Sequence, residues 1–429
     1  MKICLINQRI TYGSDRTSGN LIFLNGIMDV DAALTAAGYD VKIADLEHDR
    51  NAGLDYASGC TVACLTSVLQ SYDFFKDALP QLKRDGKTVI VGGQLMSSYG
   101  LSDRNLLMRA FPEIDFGVVG EAELTAPALL GFLQGRNDMP GGVIFRDGTR
   151  LRTSGQANII QKLDSLPESD YSRWPDFSAA VKGNTANFRQ TARGCYAHCS
   201  FCYKMSEGLR SFSEQRIMRE FENISTLGAR QLHFSDNTFT YDYERTARIL
   251  EKMPDYIRRF TMMTRADKMN PALARDLKNA GCSAVKFGVE SLDHEILRRT
   301  GKGITPEQVR HAVECSKDAG LDVLAFMIIG LPGECRKSLE RTVRSIKEMR
   351  LKCQPRLLIP LPGTWIYDEA VRLEKIDEMD MLRQFSNPEY YSDTKDGNWV
   401  PVNMSDGLTD QELIDARDEI KELRMEFER

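Results

Sequence analysis

The sequence predicts an α/β protein in two parts: a doubly wound parallel sheet, then a partial barrel of six βα units, followed by a helical segment. Three observations carry this. Short β-rich apolar runs alternate with helical stretches up to about residue 140, a second series starts near residue 186, and the tail from 366 is helical and charged. Strands buried on both faces read as continuous apolar runs, and helices between them supply the crossovers that parallel pairing needs.

In the first series, "KICLIN" (2–7), "DVKIAD" (40–45), "CTVACLTS" (60–67), "TVIVGG" (88–93) and "FGVVG" (116–120) read as strands. Amphipathic helices are expected at about 21–37, 69–84, 103–111 and 122–134. Such sheets bind ligands at the carboxyl ends of their strands. The candidate contacts there are Asn7, Gln8, Ser67, Leu69, Gln70, Gly92, Gly93, Gln94, Gly120 and Glu121. Residues 141–185 combine a hairpin, "GGVIFRDGTRLRTSG", with a Pro- and Ser-punctuated stretch, and are expected to connect the two parts.

The second part, 186–365, has strand candidates "FRQTARG" (188–194), "QLHFSD" (231–236), "RFTMMTRA" (259–266), "AVKFGVES" (284–291), "LAFMIIG" (324–330) and "PRLLIPL" (355–361). Helices at roughly 213–227, 242–253, 271–280, 305–319 and 336–349 fill the gaps. Six such units fall short of the eight that close a barrel. Residues 366–429 are expected to form a helical cap.

A chain of 429 residues exceeds one ordinary core, and 42% hydrophobic with 27% charged residues is a globular balance. A net charge of −5 without a basic run argues against nucleic acid as a partner. No apolar run approaches the roughly 20 residues that span a bilayer, so no membrane association is expected. The start, "MKICLINQRITYGSDR", turns polar too early for a secretory signal. A cytoplasmic protein is expected, and its ten cysteines then read as thiols or metal ligands.

"RGCYAHCSFC" (193–202) holds Cys195, Cys199 and Cys202 and no fourth cysteine, directly after the first strand of the second series. Barrel enzymes place their active sites at that end of a strand. Three thiolates on a cubane leave one iron open to the amine and carboxylate of an amino acid, which would set an attached sulfonium beside a one-electron reductant. The competing reading is zinc completed by His198, although a ring adjacent to Cys199 would have to fold back onto the same ion.

The spacing C-x-x-x-C-x-aromatic-C, with Phe201 as the aromatic, resembles the signature of the radical S-adenosylmethionine (SAM) superfamily. "HFSDNTF" (233–239), "TMMTRADKM" (261–269), "VKFGVESLDHEILRRTGKGIT" (285–305), "FMIIGLPGE" (326–334) and "PLPGTWIYDEA" (360–370) resemble its later strand segments in order. The last is typical of the class with an N-terminal cobalamin-type domain. The resemblance implies a 4Fe–4S cluster on the three cysteines. It implies SAM contacts from Phe201, Arg265, Glu290, Ser291, Gly330 and Pro332, with Arg265 pairing the SAM carboxylate. A small-molecule substrate and an external one-electron reductant, such as flavodoxin or ferredoxin, are implied as partners.

The first part resembles the flavodoxin-like cobalamin-binding domain of that class, notably in "IVGGQLMSS" (90–98) and "DFGVVGEAELTAPALLGFL" (115–133). It departs from the older cobalamin fold, since the loop "NQRITYGSDRTSG" holds no histidine and His48 follows the second strand. Bound cobalamin would then have a lower face free of protein ligands or covered by Ser67–Tyr72. Cys60 and Cys64 read as core; the methylthiotransferase branch has three N-terminal loop cysteines and a C-terminal β-barrel, and neither is evident. Cys335 reads as a loop thiol, Cys353 as pointing to the barrel's far end, and His233, His294 and His311 as structural.

The function implied is a cobalamin-dependent radical SAM enzyme that modifies an unactivated carbon of a small substrate, with methyl transfer foremost. The sheet edge and the barrel mouth would close over that substrate. The alternatives are a cobalamin-independent enzyme with a vestigial first domain, transferring a deoxyadenosyl or 3-amino-3-carboxypropyl group, and a radical cyclase or rearrangement enzyme. No catalytic residue beyond the cofactor ligands stands out.

Overall fold

The computed structural model describes residues 1–8, 25–47, 53–101, 105–174, 178, 181, 185–188, 190–205, 208–229, 231–257, 259–386 and 401–428. The chain forms two compact units. The first comprises Met1–Lys182, Tyr203–Ser206 and Asp377–Gly397; the second comprises Gly183–Cys202, Glu207–Ile376 and Asn398–Arg429.

In the first unit, β1 (Lys2–Asn7), β2 (Asp40–Asp45), β3 (Val62–Ser67), β4 (Thr88–Gly93) and β5 (Phe116–Val118) pair in parallel in the order β2-β1-β3-β4-β5. The helices α1 (Asn25–Ala36), α2 (Ser71–Arg84), α3 (Gln94–Leu101), α4 (Leu106–Ala110) and α5 (Ala122–Leu133) connect or follow them. The order reverses between β1 and β3, which makes the carboxyl ends of those strands the crevice of the sheet. Ile3, Ile6, Val89, Val91, Phe75 and Leu79 are fully buried and form much of its core.

Two elements differ from expectation. The hairpin at 141–155 does not stand apart: β6 (Val143–Asp147) and β7 (Arg150–Thr153) extend the sheet antiparallel from β5. The helix expected over 103–111 is only α4, and α3 precedes it without having been anticipated. "QLMSSYGL" has no charged face to mark a helix, yet Ser67 Oγ accepts the Met96 N–H at 2.9 Å and organises its first turn.

The second unit holds β8 (Thr185–Phe188), β11 (Gln231–Phe234), β12 (Arg259–Thr264), β13 (Cys282–Glu290), β14 (Asp322–Ile329) and β15 (Cys353–Leu357). They pair in parallel in the order β15-β14-β13-β12-β11-β8. Six parallel strands with intervening helices give the partial barrel expected. The strand expected over 188–194 is instead split. β8 ends at Phe188, while β9 (Ala192–Cys195) pairs antiparallel with β10 (Gly208–Ser211) as a separate ribbon.

The helices α6 (Glu214–Ser225), α7 (Tyr243–Glu251), α8 (Pro271–Asn279), α9 (His294–Arg299), α10 (Pro306–Asp318), α11 (Arg336–Met349) and α12 (Trp365–Arg372) fill the crossovers. Their starts follow from local chemistry: Ser213, Asp242, Asn270, Asp293, Thr305 and Thr364 each accept a backbone N–H of the first turn. Pro271 and Pro306 stand where a missing N–H costs nothing. The tail divides, with α13 (Glu378–Gln384) in the first unit and α14 (Asp410–Glu428) in the second, where it lies along β15. Among the described residues, no helix is long and apolar enough to cross a membrane.

Candidate functional site

The cysteine loop is fixed at both ends by backbone bonding. Asp236, buried just beyond β11, accepts the Thr191 N–H at 3.1 Å, the Thr191 hydroxyl at 2.7 Å and the Ala192 N–H at 2.9 Å. Arg245 donates to the Thr191 carbonyl at 2.9 Å. Burial pushes the Asp236 carboxyl up, opposed by these donors and by Arg245. These bonds swing the chain out of the sheet and into β9. There Gly194 has φ +88°, and a Cβ at that position would lie 2.2 Å from the Gly208 carbonyl, so only glycine lets the ribbon close.

Beyond Cys195 the loop is clasped by the turn 300–303. Ser200 N–H donates to the Thr300 carbonyl at 2.9 Å, and Gly301 (φ +64°) comes so close that a Cβ would sit 2.7 Å from the His198 carbonyl. The Ser200 carbonyl in turn accepts the Ile366 N–H at 3.2 Å. Cys195 and Cys199 are half-buried. Burial pushes the Cys199 thiol up, with Cys195 adding to the shift and Lys302 opposing it, while Cys202 is exposed, with Cys199 and Cys195 beside it raising its thiol. Metal binding would release any protons these thiols hold. Among the described residues, no three His, Cys, Asp or Glu side chains converge on a single ion. A cubane gives each thiolate its own iron and tolerates a wider spread, so the donor set of three thiols fits it.

The end of β13 lies against this loop. Glu290 adopts φ +69°, uncommon for a residue with a side chain, and its buried carboxylate pairs with buried Lys302 at 2.9 Å. The Lys302 ammonium also stands 5.9 Å from the centre of the Phe201 ring. Phe201, Glu290 and the cysteine loop are thus brought together, and Lys302 joins them unanticipated. Two glycines flanking a lysine in "TGKG" are the signal that could have marked that turn.

Arg265 is placed differently from its expected role. Its guanidinium grips Asp267 at 2.8 and 3.3 Å, donates to the Lys302 and Gly303 carbonyls at 2.9 and 3.2 Å, and lies 5.4 Å from the Tyr196 ring centre. With its donors so engaged, it supports the 300–303 turn rather than offering a free fork to a carboxylate. Ser291 is buried and its hydroxyl accepts the Asp293 N–H at 3.2 Å. Gly330 (φ +98°) and half-buried Pro332 form a turn held by Glu334, whose carboxylate accepts the Gly330 N–H at 2.6 Å. A side chain at Gly330 would point toward Leu413 and Leu358, not toward the cysteine loop. Glu334 itself went unanticipated; burial raises it to about 7.

In the first unit, the residues proposed for the sheet edge divide into two groups. Ser67, Gly93, Gly120 and Glu121 serve the fold: Ser67 Oγ donates to the Gly92 carbonyl at 2.6 Å, and Gly93 packs against Thr66 and Ser67. Gly120 N–H donates to Ser97 at 3.0 Å, and Glu121 accepts the Ile160 N–H at 2.6 Å. The other group remains available to a ligand. Asn7 donates to Asp45 at 2.8 Å and Gln8 to Ser71 at 2.5 Å, yet among the described residues the buried amide oxygens of both have no hydrogen-bond partner. Leu69, Gln70 and Gly92 are half-buried and Gln94 is exposed. His48 and most of the loop after β1 lie outside the described residues. Unsatisfied acceptors at a switch point suit a large ligand rich in amide N–H donors, so this edge fits the corrin side chains.

Residues 190–346 match the radical SAM superfamily. The chain carries a radical SAM domain. Over 277 residues it is 31% identical to an uncharacterized methyltransferase of Pyrococcus horikoshii, covering 62% of this chain and 60% of that one. A putative methylthiotransferase of Methanocaldococcus jannaschii is 23% identical over 90% of this chain and 84% of its own. Among solved structures, the fold resembles the cobalamin-dependent SAM radical enzyme OxsB (TM-score 0.70, 15% identity, 89% of this chain and 56% of that one). It also resembles the radical SAM methyltransferase TsrM of Kitasatospora setae (TM-score 0.68, 16% identity, 87% and 77%). The chain thus spans about three fifths of the Pyrococcus relative and just over half of OxsB. Around this domain's cysteines stand the Phe201, Glu290 and Lys302 contacts described above.

Proposed function

We propose that the protein is a cobalamin-dependent radical SAM enzyme that methylates an unactivated carbon of a small substrate. The observation that carries this is the loop of three cysteines, lacking a fourth, clamped by the 300–303 turn against the end of β13. When bound, the cluster would supply the electron for reductive cleavage of SAM, and cobalamin would supply the methyl group.

The chain's own residues then have distinct tasks. Cys195, Cys199 and Cys202 would hold the cluster with one iron left open. Phe201 offers a ring face for the adenine, and Glu290, anchored by Lys302, presents its remaining carboxylate oxygen to the ribose or methionyl portion. Asn7 and Gln8 offer acceptors to corrin amides, with Leu69, Gln70 and Gln94 around them. Within Ser67–Tyr72, Leu69 and Gln70 would help to hold the cobalamin. An external one-electron reductant, a flavodoxin or ferredoxin, completes the reaction.

Metal content tests this reading. Protein purified without oxygen, reconstituted, incubated with hydroxocobalamin and desalted is expected to hold about four irons and one cobalt per chain. Four irons without cobalt would leave the SAM chemistry standing and overturn the methyl-transfer assignment. Zinc without iron would overturn both.

A further inference from the structure

We propose that Lys286 receives an oxyanion, a carboxylate or a phosphate-type group, of the substrate, which makes the acceptor a small anionic molecule held on the open face of the second unit's sheet. This rests on the radical SAM reading above.

Along β13, Val285, Phe287 and Val289 are fully buried, whereas Ala284, Lys286 and Gly288 are half-buried on the opposite face. The parallel register sets Lys286 beside Met263 and Leu324. Among the described residues, Lys286 makes no hydrogen bond or ion pair, and only burial acts on its ammonium, lowering its proton affinity. The carboxylates on that face are committed elsewhere: Glu290 to Lys302 and Asp322 to Lys352, each at 2.9 Å. Nearby His233 bonds the Thr261 hydroxyl at 2.7 Å. Burial and the Lys286 charge hold this histidine down to about 4, so it stands neutral, able to give a ring N–H but no charge.

A cation drawn half out of water with no counter-charge costs stability, and a ligand anion would offset that cost. The position is also suitable for chemistry. Gly288, two residues on, has no side chain, and a Cβ there would meet Glu290 Oε1 and Lys302 Nζ, both at 2.9 Å. The pair beside the cysteine loop therefore stands on the same face as Lys286, one pleat repeat of about 6.6 Å farther along. A small molecule anchored at Lys286 would extend toward the cluster across Gly288. Phe326, the register partner of Gly288, and Met263 supply apolar contact for its body.

The test uses the reconstituted full chain and three probes: inorganic phosphate, methylphosphonate and acetate. Their binding is followed by broadening of the phosphorus and carbon resonances. At least one probe should bind, Lys286→Gln should weaken it about tenfold, Lys286→Arg should stay within a few fold, and the exposed-site control Lys337→Gln should leave it unchanged. Which probe responds distinguishes a phosphate-type group from a carboxylate. Failure of every probe to bind the wild type, or unchanged affinity in Lys286→Gln, would overturn the proposal. Lys286→Met should unfold at no lower temperature than the wild type; a fall of several degrees would make Lys286 structural and also overturn it. Iron content and cleavage of SAM without substrate are measured on the same samples. Their absence in the wild type would sink the radical SAM reading, whereas their retention alongside lost anion binding in Lys286→Gln would support the site.

Discussion

At the scale of single residues, the cysteines were legible because their chemistry and spacing are written in sequence, whereas their supports were not. Asp236 and Lys302 act through backbone carbonyls, N–H groups and a buried partner, none of which spacing encodes. Gly194 gives a direct check. Alanine there would combine a left-handed φ with a Cβ 2.2 Å from the Gly208 carbonyl. Gly194→Ala is expected to cost about 1–3 kcal/mol by urea unfolding and to lower the iron retained after reconstitution. Glu334 gives a pH-dependent check. Its folded value is raised from 4.5 to about 7, so its contribution is complete below pH 4.5 and is lost as pH rises toward 7. The stability of the wild type relative to Glu334→Gln should therefore fall by up to about 3 kcal/mol across that interval. A flat difference would show that the carboxyl ionises normally in the fold.

At the scale of elements, periodicity located most strands of both sheets because each is an apolar run between helices. It failed at "FRQTARG", where β8 stops and β9 leaves the sheet. That break depends on Asp236, more than forty residues away, and no local pattern can announce it. The same holds for the turn after α9, which ends under the cysteine loop and puts Lys302 against Glu290. Breaking one side of this buried pair should be worse than removing both. Lys302→Met is expected to destabilise by about 3–5 kcal/mol, leaving Glu290 uncompensated, while Glu290→Leu combined with Lys302→Met should recover most of the loss. Urea unfolding of the wild type, both single variants and the double variant measures the coupling directly. Additive costs would mean that the two charges are each solvated independently.

At the scale of the whole molecule, two βα series predicted two sheets, but not that the tail would be shared between the units, with α13 in one and α14 in the other. Helical periodicity says that a face is buried, not which sheet buries it. The histidine distribution, by contrast, can be read from the chain and makes a prediction about cobalamin. Of the five histidines, His198, His233, His294 and His311 belong to the second unit, and only His48 belongs to the first. The segment after β1 contains no imidazole to coordinate cobalt, and neither does Ser67–Tyr72. Bound cob(II)alamin should therefore give an electron paramagnetic resonance spectrum with no nitrogen splitting from the protein. Labelling the protein, but not the cofactor, with nitrogen-15 isolates that contribution. A spectrum that does not change on labelling fits a cobalt free of protein ligands. A splitting that changes would place an imidazole on the metal, and His48→Ala would then be the variant to abolish it.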